Sequence, residues 1–558
     1  MPKRRAPVNG PKRLRAAAPP HSTAAHMKTR PRHLLFAAAL LAVPASAQDA
    51  ALARIVDEGT NHSQVVRTVQ HLTDVIGPRL PNSPQMRAAE DYAVRRFAQF
   101  GLKNVRKEGF DFGRGWSIKR SSVRMLTPRP VQLTAIPIAW TPAGNVTGPV
   151  IVAPMRRERD FEKWRGQLRG KIALVSTPRE LQEPTDPVYQ RYTSEDIAKL
   201  DRFEQPRYDP AAADRRLKRL DFAKKRDAFL KAEGALAYAT MSRLDGKLVH
   251  GEGSLYRRGD TPSLPAVEIA AEDYRRLARL AKSGPVPTLE IANDVRFHDE
   301  DPKAYNIIAE IPGTDPGAGY VMAGAHYDSW VAGDGAADNA AGSAMVMEAA
   351  RILAATGVRP KRTIRFALWN AEEQGLLGSF AYVARYLAAR GKPGDAPLTG
   401  DALYYGWSSR WPITPKAGFG DLAGYFNIDN GSGRLRGLYA EGNLAAVPIF
   451  REWLSPLSSM GASSVVASRT GGTDHVYLQQ VGLPGFQFIQ DPLDYDSRVH
   501  HTSVDTFDHL KAEDMRQGSI VLAHVLLQAA NAAKPLPRPP VPREPVVTDP
   551  YAYSEDED

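Results

Sequence analysis

The chain has 558 residues, 43% hydrophobic and 24% charged, which is enough to bury a large core and excludes fibrous and wholly disordered classes. Cysteine is absent, so disulfide frameworks, thiolate metal sites and cysteine nucleophiles are excluded as well. The formal charge of +11 is uneven: residues 1–47 hold nine of the 73 basic residues and no acid, so the remaining 64 face 62 acidic ones. A near-neutral body has no global field for polyphosphate, and nucleic acid is not expected as a partner.

From Met27 the chain reads as a secretion signal. Lys28, Arg30 and Arg32 precede the apolar run Leu34 to Val43, and Ala45-Ser46-Ala47 has the small-x-small form of a cleavage site. Ten apolar residues span about 15 Å as a helix, against about 30 Å of hydrocarbon, so a membrane anchor is disfavoured. Cleavage is expected after Ala47, with residues 1–26 as an upstream extension, no membrane span afterwards, and export to the periplasm or beyond the cell.

Residues 48–126 open with helical spacing in VVRTVQHLTDVI and QMRAAEDYAVRRFAQFG. Short β-rich runs follow from about Pro128 (VQLTAIPIA, GPVIVAP, GKIALVS), then a charged stretch, then strand-and-helix patterning in LPAVEIAAEDYRRLARLAKSG, so 127–295 is expected to be a separate insertion. In 296–534 apolar strands (NIIAEIP, YVMAGAH, TIRFALW, AGYFNID) alternate with helices placed at Asn339 to Ala355, Leu376 to Arg390 and Met515 to Ala533. This predicts an α/β fold with a mixed, mostly parallel sheet covered by helices on both faces. The proline-dense and acidic segment 535–558 is expected to be a disordered tail.

Acids and histidines follow the apolar strands, where open α/β sheets place ligands. His326 and Asp328 stand in GAHYDSW, where the acid could orient the imidazole. Asp338, at the mouth of a helix, reads in isolation as a cap. Glu372 and Glu373 are adjacent, so one could hold a metal while the other reaches a bound water, or the pair could lie in solvent. Asp429 ends a strand, and His501 lies in RVHHTSVDTFDHL. Two histidines and three carboxylates suit a pair of zinc ions without thiolate.

The ordered motifs HxDSW, GAxDNAAG, WxAEEQGxxGS, NxD and HTxxDT resemble the co-catalytic zinc exopeptidases, a family that includes bacterial leucyl aminopeptidases, carboxypeptidase Q and glutamate carboxypeptidase. The likeness spans 296–530 and, more loosely, 50–125; the middle segment resembles a protease-associated insertion. It implies that His326 and Asp429 hold one zinc and Glu373 and His501 another, that Asp338 bridges them through a cis Asp338–Asn339 peptide, that Asp328 orients His326, and that Glu372 is the general base. Where many relatives have tyrosine before the last ligand, this chain has His500, so Tyr495 and His500 both stand as oxyanion donors. Asp474 and His475 in GGTDHVYL resemble a segment beside the active site, though core hydrogen bonding accounts for them equally well. The expected activity is hydrolysis of short peptides, as a carboxypeptidase Q-like dipeptidase or an aminopeptidase; an inactive receptor on the same fold is the alternative. The expected partner is a peptide, with a homodimer left open.

Overall fold

A computed structural model describes residues 47–181, 185–203, 212–398 and 401–545. The expected secretion signal up to residue 46, with the extension before it, and residues 546–558 lie outside the described residues. Among the described residues no helix is long and apolar enough to cross a membrane.

Helices Ala47–Asn61, Val65–Gln70 and Pro84–Gln99 lead into β1 (Lys103–Asp111). Eight strands of a second sheet follow before the chain returns: β2 (Gly115–Thr127), β3 (Val131–Gln132), β4 (Ala135–Pro137), β5 (Gly144–Val152), β6 (Ile172–Leu174), β7 (Ala237–Met241), β8 (Ala266–Ile269) and β9 (Thr288–His298). The first sheet resumes with β10 (Lys303–Ile311), β11 (Tyr320–His326) and β12 (Thr363–Trp369). A small hairpin, β13 (Ala388–Arg390) with β14 (Ile413–Pro415), precedes β15 (Leu422–Asn427), β16 (Leu435–Tyr439), β17 (Ser464–Val466) and β18 (Gly485–Gln490).

The first sheet has the order β1-β10-β12-β11-β15-β18-β16-β17, and the second β3-β2-β9-β5-β6-β7-β8-β4. β12, β11, β15 and β18 run parallel, with antiparallel strands on either side. The second sheet is therefore inserted between β1 and β10, which pair with each other. It already includes β2, so it starts before the boundary expected at residue 127.

Period-two alternation explains why both faces of the first sheet are covered. Val321, Ala323 and Ala325 of β11 join Ile364, Phe366 and Leu368 of β12 in one core cluster beneath helices Ala341–Ala355 and Ala512–Asn531. Tyr320 and Met322 point the other way, into a cluster with Trp369, Tyr382, Trp407 and Tyr477. Gly324 is required in this layer, because a Cβ there would lie 2.5 Å from the Trp369 indole nitrogen and 2.6 Å from the Tyr425 hydroxyl.

Two expectations need correction. The helix placed at Leu376 to Arg390 covers Leu377–Tyr382, passes through a π-helical turn Val383–Leu387, and gives way to β13, because pairing with β14 captures the backbone there. The proline-rich segment expected to be disordered from residue 535 is anchored at Leu536, Pro537 and Arg538. Proline removes a donor but keeps its carbonyl, and Asn443 donates to the Pro537 carbonyl at 2.7 Å. Leu536 is buried and donates its amide to Ala423, and Arg538 donates to the carbonyls of Phe419, Gly420 and Leu422.

One buried cation ties the N-terminal segment to the sheet. Arg79 donates to the carbonyls of Tyr327 (2.7 Å), Leu72 (3.2 Å), Gly77 (3.0 Å), Asp334 (2.7 Å) and Gly335 (2.7 Å). Burial lowers its pKa to about 10, against the pull of Asp505 and Asp328, so it stays charged at neutral pH. Arg79→Met leaves those carbonyls without their donor and should cost at least about 3 kcal/mol in urea unfolding; a loss under about 1 kcal/mol would contradict this.

Candidate metal centre and catalytic pocket

Strand register brings the candidate residues level. Trp369 pairs with His326 across β12 and β11, so Ala371, Glu372 and Glu373 emerge beside the imidazole. Asn427 pairs with Gly324 across β15 and β11, and the chain leaving β15 delivers Asp429 to the other side of His326. The left-handed backbone of Ala371 (φ 58°) turns the chain between strand and acids, and His501 (φ 59°) is held in the same region.

Two triads result, and they share one carboxylate. Nε2 of His326 lies 3.2 Å from Asp338 Oδ1 and 3.2 Å from Asp429 Oδ1. Nε2 of His501 lies 3.1 Å from Asp338 Oδ2 and 2.8 Å from Glu373 Oε2. Tetrahedral zinc with bonds of about 2.0–2.1 Å separates its ligand atoms by about 3.3 Å, so each histidine–carboxylate contact has nearly the length of one edge of such a site, and the side chains whose donor atoms all lie within 4.8 Å of one another are His326, Asp338 and Glu373, and Asp338, His500 and His501. Glu373 Oε1 is buried with no hydrogen-bond partner, as expected of an oxygen intended for a cation, and Asp338 Oδ2 faces the ring nitrogen of His501. The residues present therefore fit a pair of zinc ions.

Asp338 is fixed by its backbone. The peptide to Asn339 is cis, and both residues lie in a non-helical turn before the helix Ala341–Ala355. Asp505 receives the amides of Ala337 at 2.6 Å and Asp338 at 3.1 Å, while Asn339 donates to the Ile428 carbonyl at 2.9 Å. Asp338 is thus the hinge of a hydrogen-bonded turn, where sequence reading in isolation would make it a helix cap. Asp328 does more than the sequence suggested. Its carbonyl oxygen lies 3.1 Å from His326 Nδ1 and its carboxylate 3.6 Å away, while that carboxylate accepts the amides of Glu372 (3.2 Å) and Glu373 (3.4 Å).

A cavity of about 290 Å³ opens on these groups, lined also by Gln374, Tyr404, Tyr405, Tyr495 and His500. Both oxyanion candidates are therefore at the site. Their rings meet at a tilt of 33° with centroids 4.8 Å apart, and His500 Nε2 lies 3.7 Å from Asp338 Oδ2. Burial, with the charges of Asp338 and Asp429, holds the Tyr495 hydroxyl well above its ordinary pKa, so it stays a donor. Burial lowers His500, which is therefore neutral at pH 7.

Crowded acid dominates the electrostatics. Burial pushes Glu372 well above the usual carboxylate range; His326 opposes this, and Asp429 and Asp474 add to it. Burial pushes Glu373 up to about 7 against the pull of His501. For Asp338 burial is outweighed by hydrogen bonds from His326 and His501, which hold it well below that range. Burial also works against charge on His326 and His501, yet Asp429 and Glu372 raise the first and Glu373 and Asp338 the second.

Asp474 and His475 prove to have different settings. His475 Nε2 contacts Thr470 Oγ1 at 3.1 Å and Glu441 at 3.5 Å, a core arrangement. Asp474 is fully buried, and burial pushes it up to about 8, with His326 opposing and the Asp429 and Asp328 charges adding. The sequence reading missed Arg79, Asp505 and Glu252. Asp505 stood within the quoted HTxxDT motif, whereas no local pattern marked the other two. Glu252, in the loop between β7 and β8 of the inserted segment, lies 3.1 Å from His501 Nδ1.

Residues 306–526 match the sequence family described as Peptidase family M28. The chain is 25% identical over 471 residues to carboxypeptidase Q of Mus musculus, covering 84% of this chain and 86% of that protein. It is 39% identical over 153 residues to the probable leucine aminopeptidase 2 of Arthroderma benhamiae, covering 27% and 28%. The crystal structure of a peptidase M28 precursor from Shewanella amazonensis superposes with a TM-score of 0.62 at 22% identity, over 89% of this chain and 99% of that one.

Asp474 gives a test by stability. An aspartate ionises at about 3.9 when unfolded, and a folded pKa of about 8 means the native state keeps a proton that the unfolded chain has lost. Native stability then falls as pH rises between those values. In the chelated protein, Asp474→Asn should gain on the wild type in urea midpoint from pH 5 to pH 8; a constant or shrinking gap would contradict the assignment.

Proposed function

Over residues 306–526 this chain belongs to peptidase family M28, the co-catalytic zinc exopeptidases, and from that premise we propose that it hydrolyses short peptides from their free amino end. The observation that carries the reading is the pair of triads sharing Asp338. His326 and Asp429 would hold one zinc, Glu373 and His501 the other, with Asp338 giving one oxygen to each. Zinc bound there supplies an acidified water at neutral pH and a Lewis acid for the scissile carbonyl.

The chain's own groups do the rest. Glu372 sits in the cavity wall with a carboxyl biased by burial toward holding a proton, so it takes one from water and returns it to the leaving amine. Asp328 fixes the backbone of both glutamates. Tyr495 and His500 present donors toward the carbonyl oxygen as it gains charge. No side-chain nucleophile is required.

The cavity lining supports the direction of attack. Its charged side chains are carboxylates and histidines, and among the described residues none that lines it is lysine or arginine. A terminal carboxylate calls for a cation, which this wall lacks, so the lining favours attack from the amino end. One observation favours a dipeptidase, the second reading: Arg243 from the inserted sheet donates to the His500 carbonyl at 2.7 Å, placing a guanidinium near the rim, where the carboxylate of a dipeptide could meet it. In this reading the inserted sheet corresponds to the protease-associated segment, and the enzyme works after export through the leader at 27–47.

Chelation should abolish hydrolysis, and zinc alone should restore it; unchanged turnover after complete metal removal would defeat the mechanism. Glu372→Gln should keep both zinc ions while turnover falls at least about 10²-fold. N-acetylated dipeptides and tripeptides should resist cleavage while C-amidated tripeptides are cleaved, and the reverse pattern would overturn the polarity.

A further inference from the structure

We propose that Glu252 is a positioning residue for the ligand His501, so that the inserted sheet completes the metal centre of the peptidase sheet; this rests on the di-zinc reading above. Glu252 Oε1 lies 3.1 Å from His501 Nδ1. An ionised carboxylate only accepts, so Nδ1 carries a proton, and in the neutral imidazole that a metal requires Nε2 would then keep its lone pair on the side of Asp338 and Glu373. A carboxylate behind a ligating imidazole fixes its tautomer and ring direction and makes it a stronger donor to metal.

The loop carrying Glu252 is built to hold it. Glu268 of β8 receives the His250 amide at 3.0 Å and contacts His250 Nδ1 at 2.6 Å. The Gly251 carbonyl accepts from the Ala139 amide at 2.8 Å, and Gly251 has φ of 72°, which lets the chain turn at that point. The same segment grips the His501 loop on both sides: the Ser503 amide donates to the Val249 carbonyl at 2.9 Å, and Arg243 donates to the His500 carbonyl. Trp330 meets the His501 ring edge-on at a centroid distance of 6.2 Å. The insertion thus braces one ligand loop of the centre, whereas His326 is fixed within the peptidase sheet by Asp328 and by Ser343, which donates to its carbonyl at 2.7 Å.

The asymmetry gives a test that does not depend on catalysis. The full chain, stripped of metal, is titrated with zinc alone against a fluorescent chelator, as wild type, Glu252→Ala and Glu252→Gln. The wild type should load two ions. In Glu252→Ala one site should weaken by about 10–100-fold while the other is unchanged, and Glu252→Gln should fall between, since an amide oxygen still accepts the Nδ1 proton without the charge. Should Glu252→Ala not fold, as judged by thermal unfolding of the zinc-free form, Glu252→Gln carries the same test with a smaller shift. Two sites of wild-type affinity in the variants, an equal loss at both, or a raised KM with unchanged zinc affinity would overturn the role, the last making Glu252 a substrate contact. A wild type that takes up no zinc would instead remove the di-zinc reading itself.

Discussion

Carboxylates gathered in a space closed to water repel one another and lose hydration, and they stay ionised only if cations face them. Asp338 and Glu372 are buried around one pocket, with the covered side chain of Glu373 and with Asp429 beside them, and Asp328, Asp474 and Asp505 stand buried behind. The protein's own compensation there is modest: buried His326, half-buried His501 and the fixed, buried guanidinium of Arg79. Burial already pushes Glu373 up to about 7 and Asp474 up to about 8. Two divalent ions divided by Asp338 would reverse that balance for the inner acids, which is why the ligand geometry and the electrostatics lead to the same conclusion.

The rest of the architecture serves this concentration of acid. Parallel strands end together, so residues distant in sequence reach a common edge, and register decides which side chains meet. Asp505 secures the turn that aims Asp338, Asp328 secures the two glutamates, and Arg79 ties the N-terminal segment to both regions. The inserted sheet, lodged between two strands that pair with each other, contacts the His501 loop at Arg243, Val249 and Glu252.

The parts legible in the sequence were those with a local signature. Apolar strands followed at once by His326, by Glu372 and Glu373, or by Asp429 announced both the sheet and the edge where chemistry sits. Asp338 could not be told from a helix cap, because its role depends on a turn that Asp505 holds from 167 residues away in the chain. Glu252 lies 249 residues from His501, and a lone glutamate in a Gly-rich loop has no pattern that declares a partner. The stretch after Leu376 reads as helix by spacing, yet β14 takes its end as a strand. The prolines after residue 535 suggested chain without structure, but Leu536 and Arg538 anchor it. In each of these cases a tertiary contact outweighed local preference.

A di-zinc centre differs from a single-ion site in whether Asp338 divides two cations. A crystal of the full chain grown with zinc, with anomalous scattering recorded on both sides of the zinc absorption edge, tests it directly. Two peaks are expected, one among His326, Asp338 and Asp429 and one among Asp338, Glu373 and His501. A single peak, or zinc bound away from Asp338, would contradict it.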